Sequence, residues 1–565
     1  MVCFSVMASN LEIQVENLDH LGLVAGMIDE IGIVEQINQL VGEQAGEIVS
    51  PGHAVKAMIL NGLGLVSSPL YLFSKFFEGK ATEHLIGVGI KPEHLNDDRL
   101  GRVLDKLYLT GLEQIFTSIA LEAAKKFSIS TETIHLDSSS FHVHGEYESA
   151  MPQVTLLTSK NNPDDLTEKL INEVVVPQPI SITYGYSRDH RPDLKQFILD
   201  LICSGDNDVP LFLRVADGDE ADQATFGQIL CNFKQQLNLD SLMVADSALY
   251  SASNLALMVN LKWLTRVPLT VKQAKLLVSQ LTEQDFVLSQ IKGYRWSLNK
   301  SNYAEIEQRW LVVESEARRK SDLKRLEKKL EKSETQASKQ LRELCEQRFA
   351  CQPDAYRAAK RLSGKLTYHN LVDIQIIELS TEHPKASSEA ASELENISYQ
   401  VQANLERDQK IIETETRSAG RFVLATNLLD VEELSNDEML FKYKEQQSSE
   451  RGFSFLKDPL FFTDSVFLKS AERVSALALL MGLCLLVYTL TQRQLRQTLK
   501  STHSGIKNQL GKLTDNPTLR WIFQCFQSVH LLRVNQAMQI SNLTDERLWI
   551  LRFFPAFCRR YYLLV

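Results

Sequence analysis

Proline and glycine are scarce in this 565-residue chain, at 15 and 25 residues. That scarcity excludes collagen-like and Pro/Gly-rich disordered classes, and with 44% hydrophobic residues it points to folded globular domains. The eight cysteines, at positions 3, 203, 231, 345, 351, 484, 525 and 558, form no CxxC pair and no Cys/His group with zinc-finger spacing. Free thiols in a reducing cytosol are therefore expected, rather than a disulfide framework or a structural zinc. An excess of basic charge is missing too. A net charge of −10 has the wrong sign for a simple nucleic-acid coat, although basic residues can still cluster locally. The opening MVCFSVMASN has no basic region followed by a sufficient apolar run, so no secretory signal is expected. Only one stretch, Val474 to Leu490, is almost wholly apolar. It is at the short end of membrane-spanning length and is read as a buried core helix.

The length predicts two to four domains. Residues 1–128 read as a helical N-terminal domain, with apolar residues at helical spacing in LGLVAGMIDEIGIVEQINQLV and HAVKAMILNGLGLV. In NDDRLGRVLDKLY, Arg99, Arg102 and Lys106 share one helical face, which would suit DNA phosphates or ordinary solvent. From residue 129 to 268 the texture turns to short β-rich segments: TETIHLDSSSFHVHG, a strand ending near Asp137, then ISITYGYS, QFILDLICS and PLFLRVADG. ATFGQILCNFKQQL reads as a helix, and SLMVADSALYS as a strand that runs into Asp246 and opens a helix. Strands first, then strand–helix alternation, predict an α/β mixed sheet flanked by helices.

Residues 269–419 leave that pattern and read as an inserted, β-rich plus helical domain. Its segment from Arg318 to Arg348 carries 11 Lys and Arg against 6 Asp and Glu, with Leu323, Leu326, Leu330, Ala337, Leu341 and Leu344 at near-heptad spacing. A helical hairpin or coiled-coil arm is expected there, for DNA contact, dimerisation or simply solvent. The core pattern returns over 420–490, with the strand GRFVLATNLLD and a helix that begins in DEMLFKYKEQQSSERGFSFLKDPL. Residues 491–565 form a locally basic helical region.

Two aspartates, Asp137 in IHLDSSS and Asp246 in MVADSAL, end or closely follow strands, where carboxylates project from a sheet rim. Tyr443, Gln446, Glu450 and Lys457 lie at offsets 0, 3, 7 and 14, so a continuous helix would carry Tyr443, Glu450 and Lys457 in one stripe, with Gln446 beside it. An aromatic hydroxyl, an amide, a carboxylate and an ammonium on one face suit a metal ligand flanked by groups that grip a phosphate backbone.

The run YKEQQSSERGFSFLK resembles the Y-(2)-R-(3)-E-(6)-K signature of DDE-type insertion-sequence transposases, with Gln446 standing where the signature has Arg. That change removes a fixed charge. GYSRDHRPDLKQ at 185–196, VADSALYS and GRFVLATN resemble further segments of the same family, and the likeness spans about 95–490, including a large β-containing insertion before the Glu. The resemblance implies a ribonuclease H-like catalytic core, with Asp137, Asp246 and Glu450 as catalytic and metal-binding residues. It implies two Mg²⁺ ions, with Mn²⁺ as substitute, clamping an in-line displacement. The substrates would be the element's terminal inverted repeats and target DNA. Cleavage at the ends would be followed by strand transfer, by a homodimer in a bacterial cytoplasm, associated with the nucleoid. Tyr443, Gln446 and Lys457 would contact DNA, as would the basic cluster Arg188, His190, Arg191 and Lys195.

Blander readings accompany each of these. Asp137 is also placed to cap a turn with Ser138 to Ser140, and Asp246 to cap a helix. His135, His142 and His144 are expected to be structural or substrate-facing rather than metal ligands, and Trp263, Trp296 and Trp310 to pack in the core. A nuclease on the same core would need the same carboxylates. An inactive DNA-binding relative would be favoured only by Gln446, and a membrane-anchored coiled-coil scaffold only by the apolar run and the charged arm.

Overall fold

The change of texture near residue 131 marks the start of a central sheet. The structure is a computed structural model and describes residues 13–44, 46–145, 147, 177–187, 189–237, 240–380, 397–458, 468–534 and 537–564. Along the chain, β1 (Ile13–Asn17) precedes helices α1 (Leu21–Ile31), α2 (Ile33–Val41), α3 (Pro51–Gly62), α4 (Phe73–Phe77), α5 (Thr82–Leu85), α6 (Asp97–Thr110) and α7 (Leu112–Lys126). Then come β2 (Thr133–Val143), β3 (Lys195–Ser204), β4 (Pro210–Ala216), α8 (Asp222–Leu237), β5 (Leu242–Ala245), α9 (Ala252–Leu257) and β6 (Lys262–Val267). After α10 (Lys272–Gln280) follow β7 (Val287–Leu288), β8 (Tyr294–Tyr303), β9 (Ile306–Ser315), α11 (Glu316–Glu346), α12 (Gln352–Ser363), β10 (His369–Ser380), β11 (Ile397–Arg407), α13 (Gln409–Ser418) and β12 (Arg421–Thr426). The chain closes with α14 (Asn436–Lys444), α15 (Gln447–Leu456), α16 (Ala471–Ser501), β13 (Ile506–Lys507), β14 (Leu513–Thr514), α17 (Leu519–Cys525), β15 (His530–Val534, paired with β1), β16 (Ala537–Ser541), α18 (Asp545–Leu551) and α19 (Ala556–Leu563). The fold class is mixed α/β. Two compact units are present, Met1–Trp263 with Lys442–Val565, and Leu264–Phe441.

In the first unit four strands run in the order β4-β3-β2-β5. β2 pairs antiparallel with β3 and parallel with β5, and β3 pairs antiparallel with β4. Side chains alternate between the two faces of a strand. On one face Phe212 of β4 meets Phe233 of α8, with ring centroids 5.6 Å apart. On the other, Phe141 of β2 lies 6.4 Å from Phe453 of α15. α16 packs so closely there that a Cβ on Gly482 would stand 2.9 Å from Phe116 of α7. The apolar run is thus a core helix: 89% of its most apolar window is buried. α1 crosses α19 at similarly short range, with Gly26 against the Cys558 backbone.

β2 does not end near Asp137 as its three serines suggested. It continues to Val143, because β3 pairs with it from Ile134 to Val143 and the Ser138 hydroxyl is taken up by Asp222 at 2.7 Å. ISITYGYS is no strand either; Thr183 forms only an isolated bridge to Gln196.

The second unit has the strand order β6-β12-β9-β8-β7, with β12 antiparallel to β6 and to β9. Arg421 and Glu314 face each other across β12 and β9, both buried, with Nε to Oε2 at 2.9 Å. Trp310 is fully buried, as is Trp263 in the first unit, and the Trp296 indole donates to Asp437 at 3.3 Å. The charged segment is a single 31-residue helix, α11. Among the described residues of this chain, its heptad-like residues pack on their own unit. Leu326 and Leu330 pack with Tyr368 and Ile412, and Leu344 with Ala355, Ala359 and Val401, so the covering surface comes from β11, α12 and α13.

Candidate active site

The parallel register of β2 and β5 pairs Leu136 with Ala245. One residue further along each strand stand Asp137 and Asp246, side by side on neighbouring strands roughly 4.8 Å apart. Asp246 remains extended while its carboxylate accepts from the Ala248 amide at 2.8 Å, so it caps the turn that follows β5. Asp137 accepts from the Ser138 amide at 2.9 Å. Both side chains are partly exposed. The expected pair of rim carboxylates is therefore brought together, with Asp246 also filling its blander role as a cap.

Asp137 shares its strand face with Thr133 and Phe141, and that face is covered by the signature segment. Lys442 Nζ reaches Thr133 Oγ1 at 2.7 Å, and Lys457 Nζ sits 5.3 Å from the Phe141 ring centre. The segment is not one continuous helix, so the single stripe expected of Tyr443, Glu450 and Lys457 does not form. α14 ends at Lys444, residues 445–446 form a turn in which the Gln446 amide bonds the Tyr443 carbonyl at 3.2 Å, and α15 starts at Gln447. Gln446 is buried in that turn, and neighbouring Glu445 has its pKa raised by burial.

Glu450 lies in the first turn of α15 and is exposed. It makes no hydrogen bond or ion pair among the described residues. Its neighbour Arg451 pairs instead with Asp208 at 2.8 Å. Among the described residues no three His, Cys, Asp or Glu side chains gather as a metal-holding group. Asp137 and Asp246 are oxygen donors suited to a hard cation, but the third carboxylate is not beside them, and the arrangement as it stands does not fit a three-carboxylate metal centre.

Lys457 donates to Asp189 at 2.7 Å, and His142 Nε2 lies 3.1 Å from the same carboxylate. These groups line a cavity of about 840 Å³ in the first unit, together with Phe141, His144 and Arg191. Asp189 was not singled out from the sequence; it stands inside GYSRDHRPDLKQ, and only its position opposite Lys457 reveals it. The basic cluster is largely self-satisfied. Arg191 forks onto Asp193, Lys195 donates to the Tyr147 carbonyl at 2.6 Å, and His190 is exposed, while Arg188 falls outside the described residues. Arg99 is likewise held, by Glu47 at 2.9 Å, and Arg493 is buried against Asp206.

The opposite sheet face carries a second polar group that the sequence did not announce. Asp200 of β3 pairs with Ser138 across the strands and with Arg214 of β4, and Arg214 also meets Glu220. Burial pushes the Asp200 carboxyl up to about 7 against the pull of Arg214. On the Asp137 side, burial lowers the His135 imidazole to about 4, with Lys442 adding to the effect. His135 is thus enclosed in the sheet as a neutral imidazole.

A domain family of unknown function, DUF4277, matches residues 13–121. No curated protein matches the sequence. Among solved structures, the chain is similar to the piggyBac transposase in a synaptic complex with hairpin DNA, at 8% identity and a TM-score of 0.36, over 92% of this chain and 83% of that one.

Proposed function

We propose that this chain is a DNA transposase, which cuts at the ends of a mobile element and joins them to target DNA. The observation that carries the reading is the adjacency of Asp137 and Asp246 at the rim where β5 ends, covered on the Asp137 face by the Tyr443–Lys457 signature segment. Two aspartates from strands more than a hundred residues apart in sequence meet only through parallel pairing, and both belong to the motifs that resemble the DDE family. A ribonuclease H-like core, DNA as substrate and Mg²⁺ as cofactor belong to the same reading. Asp137 and Asp246 would hold the metal, and Glu450 would have to come in from its exposed place on α15 to complete the set. Lys457 would grip a phosphate as a point charge, and Tyr443 would bond or stack beside the cut strand.

The test is a cleavage and joining assay with the full chain, Mg²⁺ and a plasmid carrying the DNA that flanks its own reading frame. New 3′-hydroxyl ends at the element boundary, followed by joined products, support the proposal, provided Asp137→Asn and Asp246→Asn abolish both. Cleavage that persists in either variant removes that residue from the machinery, and an absence of cleavage with Mg²⁺ and with Mn²⁺ sinks the reading.

A further inference from the structure

α11 buries one side and exposes the other. Leu326, Leu330, Ala337 and Leu344 are buried on its inner face. At 100° per residue, Lys320, Lys324, Lys328, Lys332, Lys339 and Arg342 fall together on the outer face, and all six are exposed. Between residues 320 and 342, Glu331 is the one acidic residue within that stripe, and Glu346 falls on it about one turn further on. Lys320 and Lys339 lean on Glu316 and Glu343 of the same helix at 2.9 and 3.9 Å, yet their side chains remain 77% and 79% exposed. Among the described residues Lys324, Lys328, Lys332 and Arg342 enter no ion pair.

Four lysines at successive i, i+4 positions repel one another and weaken a helix, whereas alternating Glu and Lys would strengthen it. A face that only needed solvent would gain by the alternation. On a chain of net charge −10 this stripe is a local concentration of the opposite sign. From residue 320 to residue 342 a helix rises about 33 Å. Duplex DNA completes a turn in roughly 34 Å, and it presents one negative charge per about 1.7 Å of its axis.

We infer that the outer face of α11 is a track for the phosphate backbone of duplex DNA, binding without regard to sequence. The inference rests on DNA being the partner in the proposed function, but it concerns a surface in the second unit rather than the Asp137–Asp246 rim. Long, flexible cationic side chains spread along one side of a helix, over about 120° of its circumference, fit a uniform polyanion and carry no base-reading geometry. Association would therefore be driven by counterion release and would weaken steeply with salt.

The experiment measures binding of the full chain to a duplex of arbitrary sequence across a salt series. The variants are the triple Lys324→Gln, Lys328→Gln, Lys332→Gln and a charge-matched control, Lys75→Gln, Lys91→Gln, Lys275→Gln, at exposed lysines off the stripe. The track predicts that the first triple lowers the salt slope by about one per lysine, close to three in all, equally on every sequence. The control leaves the slope in place, and the melting temperature of the first triple is unchanged or higher because repulsion is relieved. An unchanged slope, or an equal fall in the control, overturns the inference. So does lost binding to vesicles of anionic phospholipid with DNA binding intact, which would make the face a membrane contact. End cleavage by the wild-type chain separates the two claims. If it is absent while the slope shift is seen, the transposase reading fails and the track stands; cleavage with no slope shift gives the reverse.

Discussion

Lys457 and Asp189 form an ion pair at 2.7 Å in the lining of the first unit's 840 Å³ cavity. The ammonium assigned to phosphate is thus already neutralised by a carboxylate, and DNA would have to displace Asp189 to use it. Lys457→Ala is expected to lower kcat/KM for end cleavage by at least about tenfold, near 1.4 kcal/mol. Asp189→Asn, by removing the competitor, is expected to keep or tighten DNA binding. Both side chains are partly exposed, so melting temperatures should move little. Wild-type kinetics in Lys457→Ala would remove it from the phosphate grip.

The two rim aspartates call for different substitutions. Asp246 caps the turn after β5 through the Ala248 amide, so Asp246→Ala is expected to cost about 1 kcal/mol of stability on top of any catalytic loss. Asp246→Asn retains a cap and isolates the chemistry. If the transposase reading holds, Asp137→Asn should abolish cleavage while leaving DNA affinity within a few-fold of wild type, because phosphate contacts made elsewhere would supply most of the binding. Urea melts and gel-shift titrations on the same preparations separate these effects, and a folded Asp137→Asn that still cuts contradicts the assignment.

Asp200 and His135 pull stability in opposite directions with pH. Asp200 has a folded pKa raised to about 7, above the unfolded value, so the folded state holds an extra proton and stability falls as pH rises from about 4 to 7. His135 is depressed to about 4, so its contribution is full above the unfolded value near 6.5 and is lost as pH falls toward 4. Asp200→Asn should flatten the decline between about pH 4 and 7 and gain stability, on the order of a kcal/mol or more, above pH 7. Denaturation curves from pH 4 to 8 report it. A loss of stability in the variant at pH 8 would mean that Arg214 gains more from the charge than burial costs.

Gly26 tests the crossing of α1 and α19. A Cβ there would stand 2.4 Å from the Cys558 Cα, and the obstacle is backbone rather than a movable side-chain tip. Gly26→Ala is expected to destabilise the first unit by about 1–3 kcal/mol, read as a lower midpoint in urea. Gly42, with open space around it, bounds the comparison, although its positive φ adds strain of its own. An unchanged midpoint in Gly26→Ala would show that the two helices can separate freely.

Local pattern carried much of this architecture. QFILDLICS, PLFLRVADG and GRFVLATN became β3, β4 and β12 because continuous apolar runs bounded by turn residues have few other solutions. The Val474–Leu490 run became the N-terminal half of α16, buried among α1, α3, α6 and α7. Long-range pairing was the hidden part. Ser138 to Ser140 read as a turn, yet partners distant in sequence hold them in β2: Asp222 for Ser138 and the length of β3 for all three. The heptad of α11 was visible, but not that a β-hairpin and two helices would cover it. A seven-residue step from Tyr443 to Glu450 implies one face only if the helix is unbroken, and the turn at residues 445–446 interrupts it. Asp189 and Asp200 gave no local signal, since each is defined by the cation opposite it.

The first unit is made of two stretches of chain, 1–263 and 442–565, with the whole second unit threaded between them. Synthesis therefore presents its parts out of order. Asp137 and Asp246 can pair as soon as β5 emerges. At typical elongation rates the ribosome then needs on the order of ten seconds or more to pass the second unit before Glu450 and α16 appear. Until α19 is made, the glycine face of α1 has nothing to close it. A nascent chain halted before residue 555 should be cut readily by protease within α1, and a released chain should resist. The rim aspartates would thus be assembled well before the segment proposed to complete their chemistry, and the proposed centre would stay unfinished while the polypeptide is still attached to the ribosome.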